Sequence, residues 1–154
     1  MKKTIFSALL TAVTSTSVWA EPASWSAGIH AVIHPSVASA TGGSWYAYTV
    51  TGGMVLHHAD TDYSLSIHCT GLDRMGDGGL SGNGACEWTD ADGGVLYVEL
   101  ATSDKGNRYR VSGGSGRWAG ASGELTSVFG FLPGPSDAFV LATETGAGAI
   151  ELQP

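Results

Sequence analysis

The sequence is short of positive charge, short of cysteine and without helical periodicity, and each shortage excludes something. It holds 7 Lys+Arg against 14 Asp+Glu, a formal net charge of −7. Two of those seven, Lys2 and Lys3, stand at the extreme N-terminus, so the rest of the chain is more acidic still. A surface of that sign repels phosphate and disfavours nucleic acid and anionic lipid, so no nucleic-acid partner is expected. Beyond residue 20 no apolar run approaches the ~20 residues of a membrane helix, so no membrane span is expected. Nor does any stretch there carry apolar residues at i, i+3, i+4 and i+7, and helical architectures drop out. Just two cysteines are present, Cys69 and Cys86. With none left over, at most one disulfide is available.

What is present begins with a leader. Lys2 and Lys3, the apolar run from Ile5 to Val13, and small residues Val18 and Ala20 read as a signal peptide over residues 1–20. Residues 21–154 are then one exported domain, periplasmic or secreted, the size of a single core. In an oxidising compartment Cys69 and Cys86 are expected to form one disulfide, a pair of buried free thiols being the alternative.

Short alternating or β-rich runs recur about every ten residues, separated by GG, ADTD, GDGG, DADGG, SDKGN and PGPSD, all of which are turn chemistry. Expected strands are 25–33, 44–51, 54–58, 63–72, 79–89, 95–101, 108–112, 124–132 and 139–145, with a last one at 149–152. Connections this short imply an all-β antiparallel meander. A sheet of eight or nine strands with one apolar face must curl on itself or be covered by a second sheet. The 23 glycines favour an eight- to nine-stranded β-barrel over a sandwich, because glycine accommodates the bends of a closing sheet.

The cysteines set one register. If Cys69 faces Cys86 across a hairpin, the turn centre falls between Asp77 and Gly78, a favoured turn dipeptide. Ile67 then opposes Trp88 on the buried face, with Tyr63 and Leu65, while His68 opposes Glu87 outside. A turn centred on Asp60-Thr61 brings Met54, Leu56 and His58 inside and sends His57 out. A turn centred on Asp92-Gly93 places Tyr97 opposite Trp88 and Glu99 opposite Cys86, both inside, unless a bulge at Gly93-Gly94 flips them. His58, Tyr63, Trp88, Tyr97 and Glu99 are therefore the expected ligand-binding residues. Glu99 is the expected acid or base, its carboxyl desolvated beside aromatic rings; the alternative is an ordinary strand glutamate at the rim or outside.

Other chemistries find no support. His30 and His34 sit four apart in an extended segment, ~13 Å from one another, and His57 and His58 point to opposite faces, so no metal site is expected. The DTD and DADGG turns are too short for a calcium loop. No G-x-S-x-G is present for serine catalysis, and no motif asks for a cofactor.

The densest glycine segment is RVSGGSGRWAGASGEL, residues 110–125. Its spacing is not that of a phosphate loop and it opens no helical pattern. It reads instead as a folded corner whose glycines permit close approach while Trp118 plugs one end of the core. Within it, GGSGRWAGASGE at 113–124 resembles the GGTGxFxGxxG segment of the allene oxide cyclase and dirigent-like β-barrels. Gly113, Gly114, Gly116, Gly120 and Gly123 stand at the glycine positions, Ser115 at the threonine and Trp118 at the aromatic. The resemblance implies a small barrel with a largely apolar cavity and a homo-oligomer, trimeric in the plant members. Two functions stay open. One is a non-catalytic exported barrel that binds a small apolar or aromatic molecule in its lumen or serves as an interaction module. The other is an isomerase or cyclase acting on an apolar substrate in the cavity.

Overall fold

A computed structural model describes residues 20–40, 42–136 and 138–153. The expected signal peptide lies outside them except for Ala20. The strands are β1 (Glu21–Ile33), β2 (Val37–Ala38), β3 (Ser44–His58), β4 (Thr61–Gly76), β5 (Gly79–Asp90), β6 (Val95–Ser103), β7 (Gly106–Gly114), β8 (Ser122–Ser136) and β9 (Phe139–Glu151). A single 3-10 turn, Gly116–Trp118, interrupts the connection from β7 to β8. From β3 to β9 each strand pairs antiparallel with the next, β9 returns to β1, and β1 pairs with β3. Eight strands thus close a barrel and leave no long free edge, the usual danger of a one-faced sheet. The two-residue β2 lies against the start of β3.

Two expected breaks are absent. Segments 44–51 and 54–58 are one strand, because Gly52-Gly53 marks a close approach and not a turn: a Cβ at Gly52 would lie 2.3 Å from the Gly28 carbonyl oxygen on β1. Segments 139–145 and 149–152 likewise join as β9.

The cysteine register holds throughout. Cys69 opposes Cys86, Ile67 opposes Trp88, His68 opposes Glu87, and Gly76 and Gly79 flank Asp77-Gly78. The positive φ falls on Gly79 (84°), not on the two central residues. Cys69 and Cys86 are bonded to each other. The turn between β3 and β4 is centred one residue earlier than expected, with His58 opposite Thr61 and Ala59 at φ 52°. That moves partners by two residues and keeps parity, so Met54, Leu56 and His58 are inside as expected.

The turn between β5 and β6 is where the expected register fails. Asp90 N–H donates to the Gly94 carbonyl, Gly93 N–H to the Asp90 carbonyl, and Gly93 has φ 84°. The loop therefore has three residues, Ala91 to Gly93, and its glycine takes the left-handed position such loops require. Trp88 faces Leu96 and Cys86 faces Val98. Every side chain of β6 is turned over relative to expectation: Leu96, Val98 and Leu100 are core, while Tyr97 is 44% exposed.

Candidate functional site

The interior is capped at one end and open at the other. At the closed end Trp118 has no exposed surface and packs edge-on against Tyr63, ring centroids 4.9 Å apart. Its indole N–H donates to Asp90 Oδ2 at 2.9 Å. Gly114 has to be glycine for this, since a Cβ there would lie 2.4 Å from the Trp118 carbonyl oxygen. The expected corner is thus a plug. Asp90 beneath it is buried and fully engaged: the amides of Asp92 and Gly94 donate to Oδ1 at 2.9 and 2.8 Å, and Arg117 Nε reaches Oδ2 at 2.8 Å. Burial alone would raise the Asp90 pKa, but those amides, the Trp118 indole and the Arg117 charge together hold it below the usual carboxylate value.

Halfway along the lumen Trp25, Trp88 and Tyr109 form an aromatic floor, with centroid separations of 5.4 to 5.8 Å. Beyond it lies a cavity of about 580 Å³, lined largely by apolar side chains including Ile29, Val50, Leu100, Phe129 and Ala142. Residues of all eight barrel strands line it.

One row of side chains breaks this apolar wall. Tyr46, Asp73, Gly82, Thr102, Asn107 and Ser127 are successive register partners on β3 through β8. Because directly opposed residues point the same way, they form a polar belt around much of the barrel above the aromatic floor. Gly82 makes room for it: a Cβ there would lie 1.8 Å from Asp73 Oδ1, so the carboxylate lies across the glycine. On the far wall Glu144, 4% exposed, accepts from the Tyr109 hydroxyl at 2.6 Å and from the Ser127 hydroxyl. Asn107 Nδ2 in turn donates to the Tyr109 oxygen at 2.9 Å.

The belt is only partly satisfied. Tyr48 Oη, Asp73 Oδ1, Thr102 Oγ1 and Asn107 Oδ1 are buried without a well-formed hydrogen bond among the described residues, although the Thr102 hydroxyl lies close enough to Tyr48 and Asp73 to favour the ionised form of each. All four residues line the cavity. Burial raises the Asp73 carboxyl above its ordinary range. It raises Glu144 too, against the hydroxyls of Ser127 and Tyr109. Burial pushes the Tyr48 phenol up to about 12, and Tyr109, beside Glu144, is raised as well.

The residues expected from sequence are divided by this geometry. Trp88 lines the cavity. His58 and Tyr63 belong to the closed end: His58 Nε2 donates to the Ile150 carbonyl at 3.1 Å, and Tyr63 lies beneath Arg117. Tyr97 and Glu99 do not face the lumen, because the three-residue loop reverses β6. Glu99 is on the outer wall in an exposed ion pair with Arg110, Nη2 to Oε2 2.5 Å. The expected acid or base role for Glu99 loses its desolvated setting. Of the other histidines, His57 contacts Asp62 outside and His30 meets Thr51.

Asp73, Tyr109 and Glu144 were the residues missed. Two signals were available. Carrying the parity of Cys69 along β4 by four residues puts Asp73 inside. On β7 the outward Arg108 and Arg110 imply inward Asn107, Tyr109 and Val111. Glu144 had none, because ATETGAGA offers no apolar alternation to orient it.

No protein-family model matches the sequence, and no curated protein is similar to it by sequence. Among solved structures, that of a pterocarpan synthase dirigent protein is similar, with TM-score 0.51 and 10% identity over 94% of this chain and 100% of that one. At that identity the likeness concerns the fold. The chain has a dirigent-like β-barrel fold. Among the described residues no helix is long and apolar enough to cross a membrane.

Proposed function

We propose that this protein is an exported barrel that binds one small, largely apolar or aromatic molecule in the open half of its lumen. The observation that carries this is the conjunction of a largely apolar 580 Å³ cavity with a belt of polar residues, Tyr48, Asp73, Thr102 and Asn107, in its wall. The volume falls within the ~300–1,000 Å³ of small-molecule sites. The leader-like residues 1–20 and the disulfide support export, since disulfides persist in oxidising compartments. The homo-oligomer implied by the glycine segment belongs to the same reading.

The experiment is native mass spectrometry of protein isolated from its own compartment, beside an Ala142→Trp variant that fills the cavity. A bound small molecule on the wild type, lost in the variant, is expected. A wild-type chain that carries nothing and takes up none of a panel of aromatic alcohols and amines contradicts the proposal. The same spectra give the oligomeric state.

A second reading has one observation in its favour. A lumenal carboxyl that burial keeps above its ordinary pKa can hold a proton near neutral pH and give it to a bound substrate. On this reading the barrel is an isomerase or cyclase of the kind the allene oxide cyclase resemblance implies, with Glu144 as the acid. Conversion of the co-isolated ligand by the wild type and not by Glu144→Gln would establish it. Equal conversion by both would remove it.

A further inference from the structure

The polar belt also bears on which class of molecule the lumen takes, an inference that rests on the lumen-binding proposal above. Asp73 is 5% exposed and Asn107 8%; both residues line the cavity, and each keeps a buried oxygen without a well-formed hydrogen bond in its wall. The orientation of Asn107 is set by its own amide nitrogen, which is spent on the Tyr109 hydroxyl. Its free atom is therefore an acceptor and nothing else. Ionised Asp73 Oδ1 is likewise an acceptor, so the wall asks its occupant for donors.

Charge narrows the class. The buried ionisable acids on the cavity wall are Asp73 and Glu144, and no buried Lys or Arg answers them among the described residues. Lys105 is at the exposed mouth, next in sequence to Asp104. The fold does neutralise a buried carboxylate elsewhere, since Asp90 at the closed end has Arg117 at 2.8 Å. Rings of Tyr46, Tyr48 and Trp88 also line the cavity, and such faces attract cations. An anionic ligand would meet two carboxyl groups, repelled by whichever is ionised, and no buried cation to receive it.

We infer that the lumen selects an organic cation, an apolar or aromatic body carrying a protonated amine, with the ammonium beside the Asp73 carboxylate and the body on the aromatic floor. A neutral hydroxyl could donate one hydrogen bond there but would leave the carboxylate charge unanswered.

The test is calorimetric titration of the full chain at neutral pH with three probes of one shape: 1-naphthylmethylamine, 1-naphthalenemethanol and 1-naphthoate. The amine is expected to bind roughly tenfold or more tighter than the alcohol, with the acid weakest. Asp73→Asn should shrink the amine-to-alcohol ratio to about twofold, and Glu144→Gln should shrink it less, the second variant serving if the first does not fold. An alcohol that binds as tightly as the amine to the wild type, or an acid that binds more tightly, overturns the inference and leaves the lumen-binding proposal standing. If none of the three binds, the inference falls, and the lumen-binding proposal is decided by the native mass spectra.

Discussion

The two ends of this barrel each bury carboxylate, and they treat it in opposite ways. At the closed end Asp90 has two backbone amides, an indole N–H and a guanidinium around it, and its pKa is lowered. At the open end Asp73 and Glu144 have hydroxyls or nothing, no cation, and raised pKa values. The same strands build both ends, so the contrast lies in the side chains and not in the fold. A carboxylate completed from within the chain is structural. One left incomplete beside a cavity is available to something else.

The largest effect should come from the plug. Trp118→Ala removes a fully buried indole and takes a donor from Asp90, and denaturant unfolding should register a loss of about 3–5 kcal/mol. A loss under about 1 kcal/mol would mean that the closed end is not a packed cap.

Next comes the acid response of that end. Because the Asp90 pKa is lowered in the folded state, its contribution is present above the ordinary carboxylate pKa and lost as pH falls through the folded value. Asp90→Asn should lower the melting temperature at neutral pH and flatten its decline in acid. An unchanged acid limb would assign that decline to other groups.

The open end should show the reverse sign, more weakly. Raised Glu144 binds its proton more tightly folded than unfolded, so its contribution falls as pH rises from the ordinary glutamate value through the raised one. Glu144→Gln keeps an oxygen for Tyr109 and Ser127 while removing that fall, so its melting temperature should exceed the wild type's at neutral pH relative to acid. A variant that follows the wild-type curve would show that Glu144 is not strained by burial.

The smallest effect belongs to Glu99→Gln. An exposed pair with Arg110 contributes about 0–1 kcal/mol, and ligand uptake should not change. A clear loss of uptake would return Glu99 to the site.

Much of the barrel was legible because strong local signals agreed. The Cys69–Cys86 pairing and the Asp77-Gly78 turn point to one register, and the apolar alternation of Leu65, Ile67 and Trp88 follows from it. Trp118 among its glycines read as a plug for a similar reason: it is the one large aromatic in that stretch, and its ring has to be buried somewhere. The open-end site was much less legible. The reversal of β6 turned on a single residue of loop length at 91–93, and VLYVELA is apolar enough on both faces to fit either register. The carboxylate could have decided it, since turning Glu99 outward leaves Leu96, Val98 and Leu100 as an uninterrupted core face. Glu144 is harder still. Its burial depends on Tyr109, 35 residues away in sequence, and no local pattern in β9 signals that meeting.

The difference between the two ends is open to direct measurement through the tryptophan indoles, followed by nuclear magnetic resonance as 1-naphthylmethylamine is titrated into labelled protein. Trp88 borders the cavity and Trp118 seals the opposite end. Saturable movement of the Trp88 indole with Trp118 unmoved is the predicted result. Movement of Trp118 instead, or no saturable change at Trp88, would contradict a binding site in the open half of the barrel.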